Sequence, residues 1–442
     1  MPVSESVIRR MTRLANEHGA INLAQGFTDE PPAYPLVWGA MAALLGGSDA
    51  GIRRLELVTA AGFGTRPSSA EAAPGTAGMT DDDASAPAAS LRDALRHLQG
   101  APDELNQYSY PFGLPELRRA IAAYTARWSG FEPDPETETT VVLGSTEGLA
   151  ATLAALGRRG DAVVVPEPFH EMYPAQAEVF GLTPRYVTLR ECADGSGWRL
   201  DPDELRRAAD GARFLILNTP HNPTGKVFEA ADLALVADVA RSHDLVVITD
   251  EIYEHIVFDG ARHRSLARLD GMRERTVVVN SISKTANATG WRVGWVLAPP
   301  HLTPVIRAVH DTLVIQAPTP LQKAAVTLLE MPAEFFRGLA EGYAAKRALL
   351  GGALRDAGFR FTEPRGAYYL FADYRGVPDL GDLEPMAAAI RVIERVGVAA
   401  VPGDNFYGAS AEGSRYLRFA FCRSRATLGA AAERLQRLTR AT

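Results

Sequence analysis

The sequence predicts an α/β protein built on a mainly parallel sheet that helices cover on both faces. Short runs of β-branched and aliphatic residues alternate with longer amphipathic segments, and polar, glycine-containing phrases follow the apolar runs. This alternation is typical of parallel sheets with helical crossovers. Because such sheets bind ligands at the carboxyl ends of their strands, the polar phrases are the candidate functional positions.

Composition limits the possible function classes. A chain of 442 residues has room for two domains with substantial cores. Its net charge of −7 argues against general affinity for nucleic acid. The two cysteines, Cys192 and Cys422, lack metal-ligand spacing and are too few for a disulfide scaffold, which favours a reducing compartment. The first twenty residues contain no continuous apolar run, so we expect neither a signal peptide nor a membrane span, and a cytoplasmic protein.

The amino-terminal part contains two predicted helices and one unusual segment. Apolar residues recur at helical spacing in residues 5–18 and again in 35–45, and residues 21–27 form a short extended stretch between them. From about 46 to 90 the chain becomes rich in alanine, glycine, proline and aspartate, a composition that buries little core. We interpret 46–90 as an insertion that forms a surface loop, with a lid or a dimer contact as the alternative.

Beyond the insertion, helical and extended patterns alternate. The predicted helices are 91–98, 115–128, 144–156, 173–180 and 230–243. The predicted strands are 139–143, 162–166, 214–217, 245–249, 276–280, 293–297 and 416–421.

The phrase from Ser281 to Trp295 carries the strongest chemical signal. Lys284 follows the apolar run 276–280, and a lysine at the end of a buried strand is costly unless it is paired, covalently bound or functional. One interpretation is a Schiff-base lysine beside an anion site made by Ser281, Ser283 and Arg292. The alternative is a turn whose lysine points to solvent.

Four other phrases follow predicted strands or lie within one. Residues 144–148 place Ser145 and Thr146 where a strand turns into a helix, and the free N–H groups of a helix start bind phosphate. The remaining three phrases are 218–225 (NTPHNPTG), 249–253 (TDEIY) and 416–421 (YLRFAF). Taken alone, each is also compatible with an ordinary loop, an exposed acidic turn or an edge strand.

Together these phrases strongly resemble those of class I/II aminotransferases, the fold type I enzymes that depend on pyridoxal 5'-phosphate (PLP). The resemblance is closest to kynurenine-, glutamine- and methionine-type transaminases and covers nearly everything except the insertion. It implies a seven-stranded, mainly parallel sheet sandwiched by helices, and a smaller α+β domain. The implied divisions are an arm at 1–30, a large PLP-binding domain at 31–310, and a small domain at 311–442.

The resemblance also implies roles around the cofactor. Lys284 holds PLP as an internal aldimine and acts as the base at the substrate Cα. Asp250 keeps the pyridine nitrogen protonated, with Glu251 as the fallback if the register differs by one. Asn222 and Tyr253 bind the phenolic oxygen. Ser145, Thr146, Ser281, Ser283 and Arg292 belong to the phosphate site.

Substrate and partner contacts follow in the same way. Arg418 matches the clamp on the substrate α-carboxylate, Gly26 lies near that carboxylate, and Asn218 contacts substrate. Tyr108, in the phrase Asn-Gln-Tyr, reaches the phosphate of the partner subunit, which implies a homodimer with shared sites. His170 stands where the family usually has a Phe or Tyr stacked on the cofactor ring.

The expected activity is amino-group transfer between an L-amino acid and a 2-oxo acid. An alternative keeps PLP but performs β- or γ-elimination, replacement or cyclisation. The insertion and His170 favour it, because an imidazole near Cα and Cβ brings a titratable group. A regulator with an aminotransferase-like sensor domain is a third, weaker hypothesis, since the chain begins with the enzyme's first helix. We expect no metal.

Overall fold

The structure is a computed structural model that describes residues 5–44 and 107–438. The insertion expected at 46–90, the helix expected at 91–98 and the asparagine of the Asn-Gln-Tyr phrase lie outside the described residues.

Twelve α-helices occur in the described ranges. They are α1 Val7–Glu17, α2 Tyr34–Leu44, α3 Pro115–Ser129, α4 Gly144–Leu156, α5 Met172–Val179, α6 Pro202–Ala209, α7 Ala230–Ser242, α8 Thr303–Val314, α9 Thr319–Leu329, α10 Ala333–Asp356, α11 Pro385–Val396 and α12 Arg425–Leu435.

The same ranges contain thirteen strands. They are β1 Ile21–Asn22, β2 Thr139–Val142, β3 Ala162–Glu167, β4 Thr183–Glu191, β5 Trp198–Leu200, β6 Phe214–Asn218, β7 Val246–Asp250, β8 Thr276–Ser281, β9 Gly294–Leu297, β10 Tyr369–Asp373, β11 Val398–Ala399, β12 Val401–Pro402 and β13 Tyr416–Ala420.

The large sheet has the strand order β2-β9-β8-β7-β6-β3-β4-β5. Strands β8, β7, β6, β3 and β4 are parallel, and β9 runs antiparallel to both of its neighbours. The mainly parallel sheet is therefore confirmed, but it has eight strands rather than the expected seven. The additional strand is β5, a three-residue return that pairs antiparallel with β4 and buries Trp198 and Leu200.

Both faces of this sheet are covered, because alternate residues of each central strand enter different cores. Val277 and Val279 of β8 pack in one cluster with Leu149 of α4. Val278, between them, packs in another cluster with Leu117 of α3. The fully buried strands explain why the apolar runs are continuous rather than alternating.

A second layer is formed by the antiparallel sheet β10-β13-β12. The amino-terminal segment joins this part of the molecule through β1, where Ile21 pairs with Val398 of β11 in parallel. The chain then runs from β1 to Gly26, which lies against Tyr368 and Tyr369 at the start of β10. This path brings the start of the chain to the carboxyl ends of the large-sheet strands. Within the described ranges, no helix is both long and apolar enough to cross a membrane.

Candidate active site

The polar phrases meet at one edge because three neighbouring strands end there. In the sheet register Asn218 is paired with Asp250, and Asp250 with Val279. Ser281 ends β8 opposite Gly294, and the chain then turns through residues 282–287. The sheet thus brings together segments that are separated by up to about sixty residues in sequence, as its parallel topology requires.

Lys284 lies in this turn, and its amine faces the protein interior. The Nζ atom donates a hydrogen bond to the Gly26 carbonyl at 3.0 Å and lies 5.7 Å from the ring centre of Tyr368. Burial lowers the pKa of Lys284 to about 8, and the nearby charges of Arg292 and Arg418 act in the same direction. About a tenth of the amine is therefore neutral and nucleophilic at pH 7, far more than for an ordinary lysine.

Asp250 is the carboxylate of this cluster. It is buried, and its Oδ2 accepts a hydrogen bond from the Tyr173 hydroxyl at 2.7 Å. Burial raises the pKa of Asp250 to about 6, while the Tyr173 hydrogen bond and the Lys284 charge oppose that rise. Glu251, the fallback candidate, instead accepts hydrogen bonds from His263 and Ser265. The geometry therefore supports Asp250 in the role that opposes a ring nitrogen.

The start of α4 and the turn before β9 form a cationic cup. Arg292 adopts a left-handed conformation, with φ of 55°, and its guanidinium packs so closely on Gly144 that a Cβ there would lie 2.3 Å from Nη2. Its hydrogen bonds go only to the carbonyls of Thr289 and Leu143, and no described carboxylate forms an ion pair with it. The positive end of the α4 dipole and the Arg292 charge therefore lie close together, and both attract an anion.

Serine and threonine residues surround that point. Ser145 and Thr146 occupy the first turn of α4, whose leading N–H groups have no intrahelical partner. Ser281 and Ser283 are buried, and Ser283 Oγ has no hydrogen-bond partner among the described residues. Unpaired hydroxyls, a guanidinium and a helix start are all groups that bind anions in proteins.

Arg418 forms a second cationic position at the opposite side of the cluster. It is 1% exposed, donates to Asn222 Oδ1 at 2.9 Å and to the Ala24 carbonyl at 2.8 Å, and has an Nε with no described hydrogen-bond partner. Its guanidinium also stacks over Tyr369. Among the described residues no carboxylate pairs with it. Since a buried cation without a counter-ion is costly, a ligand carboxylate is its natural partner.

Asn218 and Tyr253 hold neighbouring parts of the cluster. The Asn218 side chain donates to the Asp250 carbonyl and accepts from the Asn222 backbone N–H, which fixes the loop after β6. The Tyr253 hydroxyl is 3.0 Å from the Tyr369 hydroxyl. Both residues therefore lie close to other members of the cluster, Asn218 beside Asp250 and Tyr253 beside Tyr369.

A glycine is needed at position 26 because neighbouring side chains lie close to its Cα, and not because of its backbone conformation. Its carbonyl accepts hydrogen bonds from Lys284 Nζ and from the Tyr368 hydroxyl at 2.8 Å. A Cβ at this position would lie 2.1 Å from the Tyr369 hydroxyl oxygen. A glycine is consequently the residue that lets this strand reach the lysine.

His170 lies near the two cations, with its ring 5.7 Å from that of Tyr173. Burial, together with the charges of Arg418 and Lys284, lowers the pKa of His170 to about 3. The imidazole is therefore neutral throughout the physiological range. Its Nδ1 has no described hydrogen-bond partner.

Tyr108 is the one predicted site residue that the single chain leaves outside the cluster. Its side chain is exposed, at 78%. Its neighbour Ser109 is held by Gln316, and the Gln107 carbonyl accepts a hydrogen bond from Thr319. The segment is thus anchored while the Tyr108 ring projects outward.

Sequence reasoning did not identify Tyr173, Tyr368 and Tyr369 as parts of the site. Tyr173 lies in the first turn of α5, Tyr368 directly precedes β10, and Tyr369 begins that strand. A paired tyrosine after a glycine at the start of a strand was the available signal for the latter two. No local signal connects Tyr173 to Asp250, which lies 77 residues away.

Comparison with known proteins decides the family. The family model described as aminotransferase class I and II matches residues 76–435. The chain belongs to this family. Class I and II aminotransferases are PLP-dependent, and amino acids and 2-oxo acids are their substrates, so this aminotransferase uses PLP.

Individual relatives extend over most of the chain. The aminotransferase is 35% identical to a probable N-succinyldiaminopimelate aminotransferase of Mycobacterium tuberculosis, over 98% of this chain and 96% of the relative. It is 36% identical to the methionine aminotransferase of Escherichia coli, again over 98% and 96%. Human kynurenine–oxoglutarate transaminase 1 is 35% identical over 78% of this chain and 88% of the relative.

Solved structures agree. The N-succinyldiaminopimelate aminotransferase from M. tuberculosis superposes with a TM-score of 0.82 at 35% identity, covering 99% of this chain and 98% of that one. The Thermus thermophilus aspartate aminotransferase with maleate gives a TM-score of 0.76 at 26% identity, covering 98% and 97%. These neighbours establish the fold type I architecture.

The donor set of the aminotransferase fits PLP. A partly neutral amine suits an aldehyde, and a buried carboxylate suits a protonated ring nitrogen. The unpaired Ser283 hydroxyl and the Arg292 guanidinium beside Gly144 suit a phosphate.

Proposed function

We propose that the enzyme transfers an amino group between an L-amino acid and a 2-oxo acid with Lys284 as the catalytic amine. The observation that supports this most directly is the Lys284 amine itself, which is held on the Gly26 carbonyl with a pKa of about 8. When bound, PLP supplies an aldehyde for amines and a ring that accepts the electrons of the substrate Cα–H bond.

Different residues bind the ring and the phosphate of PLP. Ionised Asp250 holds a proton on the pyridine nitrogen, and Tyr173 keeps that carboxylate oriented. Asn222 and Tyr253 donate to the phenolic oxygen. Arg292 binds the phosphate dianion, together with the set Ser145, Thr146, Ser281 and Ser283.

The substrate is held by its carboxylate. Arg418 offers its fork to the α-carboxylate, while Asn222 Oδ1 orients the guanidinium at 2.9 Å. Gly26 and Asn218 border that position. With the carboxylate fixed, the neutral Lys284 amine takes the proton from the substrate Cα. The protonated Lys284 amine would then give a proton to the cofactor carbon that is bonded to the amino nitrogen. In the first half of the cycle water would supply the keto oxygen of the 2-oxo acid that leaves, and the amino group would stay with the bound cofactor. A second 2-oxo acid would then take up that amino group as the steps run in reverse.

His170 contributes to the ring site as a neutral, partly apolar face. With its pKa near 3 it carries no ionisable proton to give to a leaving group at Cβ or Cγ near neutral pH. Its environment therefore supports transamination over the elimination alternative that its presence in the sequence suggested.

The active form is a homodimer in this proposal, because the Tyr108 role needs a partner subunit. Two exposed aromatic side chains near the amino terminus and this segment support it: Tyr34 is 72% exposed and Tyr110 is 62% exposed. We further propose the divisions 1–30, 31–310 and 311–442 as arm, large domain and small domain. The pairing of β1 with β11 supports an arm that joins the small domain.

A cytoplasmic location completes the proposal, supported by Cys192 and Cys422 both being free thiols.

The decisive experiment replaces the proposed amine. Lys284→Ala and the matched control Lys323→Ala, in which a half-exposed surface amine is removed, are loaded with PLP and dialysed. The control should keep a visible absorption band that shifts on addition of an amino acid and should release one equivalent of 2-oxo acid. Lys284→Ala should retain neither property.

The substrate panel starts from the relatives' names. Methionine, kynurenine and N-succinyldiaminopimelate are each offered with 2-oxoglutarate as the amino acceptor. Retention of turnover by Lys284→Ala, or release of a side-chain leaving group without formation of the corresponding 2-oxo acid, would count against the proposal.

A further inference from the structure

A cavity lies away from the Lys284 cluster. Its volume is about 480 Å³, and it lies between the end of α3, the segment that follows β7 and the start of α10. Trp128, Val257 and Phe336 contribute apolar walls, and the Trp128 and Phe336 rings meet edge to face at 5.0 Å. This volume lies in the range that suits small organic ligands, roughly 300–1,000 Å³.

Two of the residues that line this cavity each carry a buried nitrogen atom without a hydrogen-bond partner among the described residues. They are Trp128 Nε1 and His263 Nδ1. The His263 side chain is only 6% exposed, and its other nitrogen, Nε2, lies 2.8 Å from Glu251 Oε2. Nδ1 is consequently the nitrogen left for a ligand.

The contact with Glu251 favours the charged form of His263, in which Nδ1 is a donor. Burial alone lowers the pKa of His263, but the charge and hydrogen bond of Glu251, with a contribution from Glu254, outweigh burial and raise the pKa overall. The protonated ring carries an N–H on each nitrogen. Since the indole N–H of Trp128 can only donate, both unpaired groups call for an acceptor.

The remaining charges on the cavity favour an anion. Arg262 and Arg337 contribute to its lining, and Arg337 also forms an exposed ion pair with Glu334 at 2.8 Å. Glu254 is the one acidic lining residue, and its Oε1 already accepts hydrogen bonds from Tyr124 at 2.6 Å and Asn280 at 2.8 Å. Burial raises the pKa of Glu254 to about 7, so its negative charge is reduced near neutral pH. A cationic ligand would offer no acceptor to the N–H groups of Trp128 and His263.

We propose that this cavity binds a small organic carboxylate with an apolar body. The carboxylate accepts hydrogen bonds from Trp128 Nε1–H and His263 Nδ1–H, and the apolar body packs on Val257 and Phe336. The site is separate from catalysis: Asp250 and Tyr253 face the Lys284 cluster, whereas Glu251 and Glu254, in the same short segment, face His263 and the cavity.

The test uses 3-phenylpropionate, which has neither an amino nor an oxo group and so is not transaminated. The PLP-loaded enzyme is labelled with indole-¹⁵N tryptophan, which gives one Nε1–H resonance for each of the five tryptophans. Trp128→Phe identifies its own resonance by the signal that disappears. Titration of the probe should shift the Trp128 resonance saturably.

Variants separate this site from the active site. His263→Asn should weaken the response of the Trp128 resonance about tenfold, the expected loss for a charge-assisted hydrogen bond. His301→Asn, at an exposed histidine, should leave the affinity unchanged. Arg418→Ala removes carboxylate binding in the active site and should leave the Trp128 response intact.

Trp128→Phe provides a second measurement that does not depend on the folding of His263→Asn. By calorimetry, the wild type should bind two equivalents of probe per chain and Trp128→Phe only one at full affinity. The proposal is overturned by a Trp128 resonance that does not move, by a response that Arg418→Ala abolishes, or by equal stoichiometry in wild type and Trp128→Phe.

Discussion

The Tyr173 hydroxyl donates a hydrogen bond to Oδ2 of Asp250 at 2.7 Å, and both side chains are buried. Burial raises the pKa of Asp250 to about 6, and this hydrogen bond opposes the rise because it stabilises the ionised form. Tyr173 therefore extends the range of pH over which the carboxylate is charged. In the proposed mechanism only the charged carboxylate holds the ring proton.

Replacing Tyr173 with Phe should move the acid limb of activity. Without the donor, the pKa of Asp250 rises further, so activity should fall at a higher pH as the solution is acidified. We expect the limb of the kcat/KM profile to move upward by about one pH unit, the usual effect of one hydrogen bond to a carboxylate.

Tyr374→Phe is the control for this prediction, because the Tyr374 hydroxyl donates to the carbonyls of Leu383 and Ser414, outside the site. Its acid limb should coincide with that of the wild type. An unshifted limb in Tyr173→Phe would mean that Asp250 does not control the profile.

Incorporation of PLP into the cofactor-free enzyme should depend on pH through Lys284. The neutral amine is the nucleophile, and burial lowers the pKa of Lys284 to about 8 from the ordinary value near 10.4. The rate should rise with pH and level off above about 8. Stopped-flow absorbance at several pH values measures it. A rate still increasing steeply above pH 9 would contradict the buried environment of the amine.

The sequence was informative wherever local pattern and side-chain type coincide. Continuous apolar runs before Asn218, Asp250 and Lys284 predict three parallel strands, and the structure has these strands with the three residues at or just beyond their ends. Strand β4 was missed because its threonine, arginine and glutamate residues leave both ends partly exposed, without a continuous apolar run.

Contacts made across long sequence distances were not predictable in this way. The Lys284–Gly26 hydrogen bond joins positions 258 residues apart, and it depends on how β1 pairs with β11. The pKa values of His170 and Lys284 depend equally on packing, since burial is the main cause of each shift. For this reason His170 could suggest a titrating group from sequence, while its surroundings keep it neutral.

Phe should replace His170 with little effect on transamination. Since burial and two cations keep the imidazole neutral, with its pKa near 3, it has no proton-transfer role to lose near neutral pH. We expect kcat within about threefold of the wild type and an unchanged pH profile, because a planar apolar ring is retained. Loss of a limb of the profile in His170→Phe would show that the imidazole titrates during turnover.

Substitution of Arg418 by Lys should weaken binding of both substrates. Lysine keeps the charge but lacks the planar fork that pairs with a carboxylate and that Asn222 orients. We expect kcat/KM to fall about 10- to 100-fold for amino acid and 2-oxo acid alike, the range for a hydrogen bond to a charged group.

Arg347→Lys is the matched control for Arg418, because Arg347 is a buried arginine whose carboxylate partner, Asp259, lies within the chain. This variant should lose stability and keep its KM values. Equal KM values in Arg418→Lys and wild type would show that Arg418 does not bind the α-carboxylate.

Tyr108 offers a test of shared active sites by complementation. Tyr108→Ala should bind PLP more weakly, by about tenfold for one lost hydrogen bond to phosphate, and Lys284→Ala should be inactive. In a mixed dimer, the site on the Tyr108→Ala subunit has its own Lys284 and receives Tyr108 from its partner. Because random pairing makes half of the dimers mixed and each regains one site, co-expression at limiting PLP should restore about a quarter of wild-type activity.

The control for complementation pairs Lys284→Ala with a double variant that lacks both Lys284 and Tyr108. No subunit in that mixture has the catalytic amine, so activity should stay at background. Recovery that does not exceed the sum of the separate single variants would place the exposed Tyr108 ring outside the partner's site. In that case the anchoring of its neighbours by Gln316 and Thr319 would serve the fold of one chain rather than the reach between two.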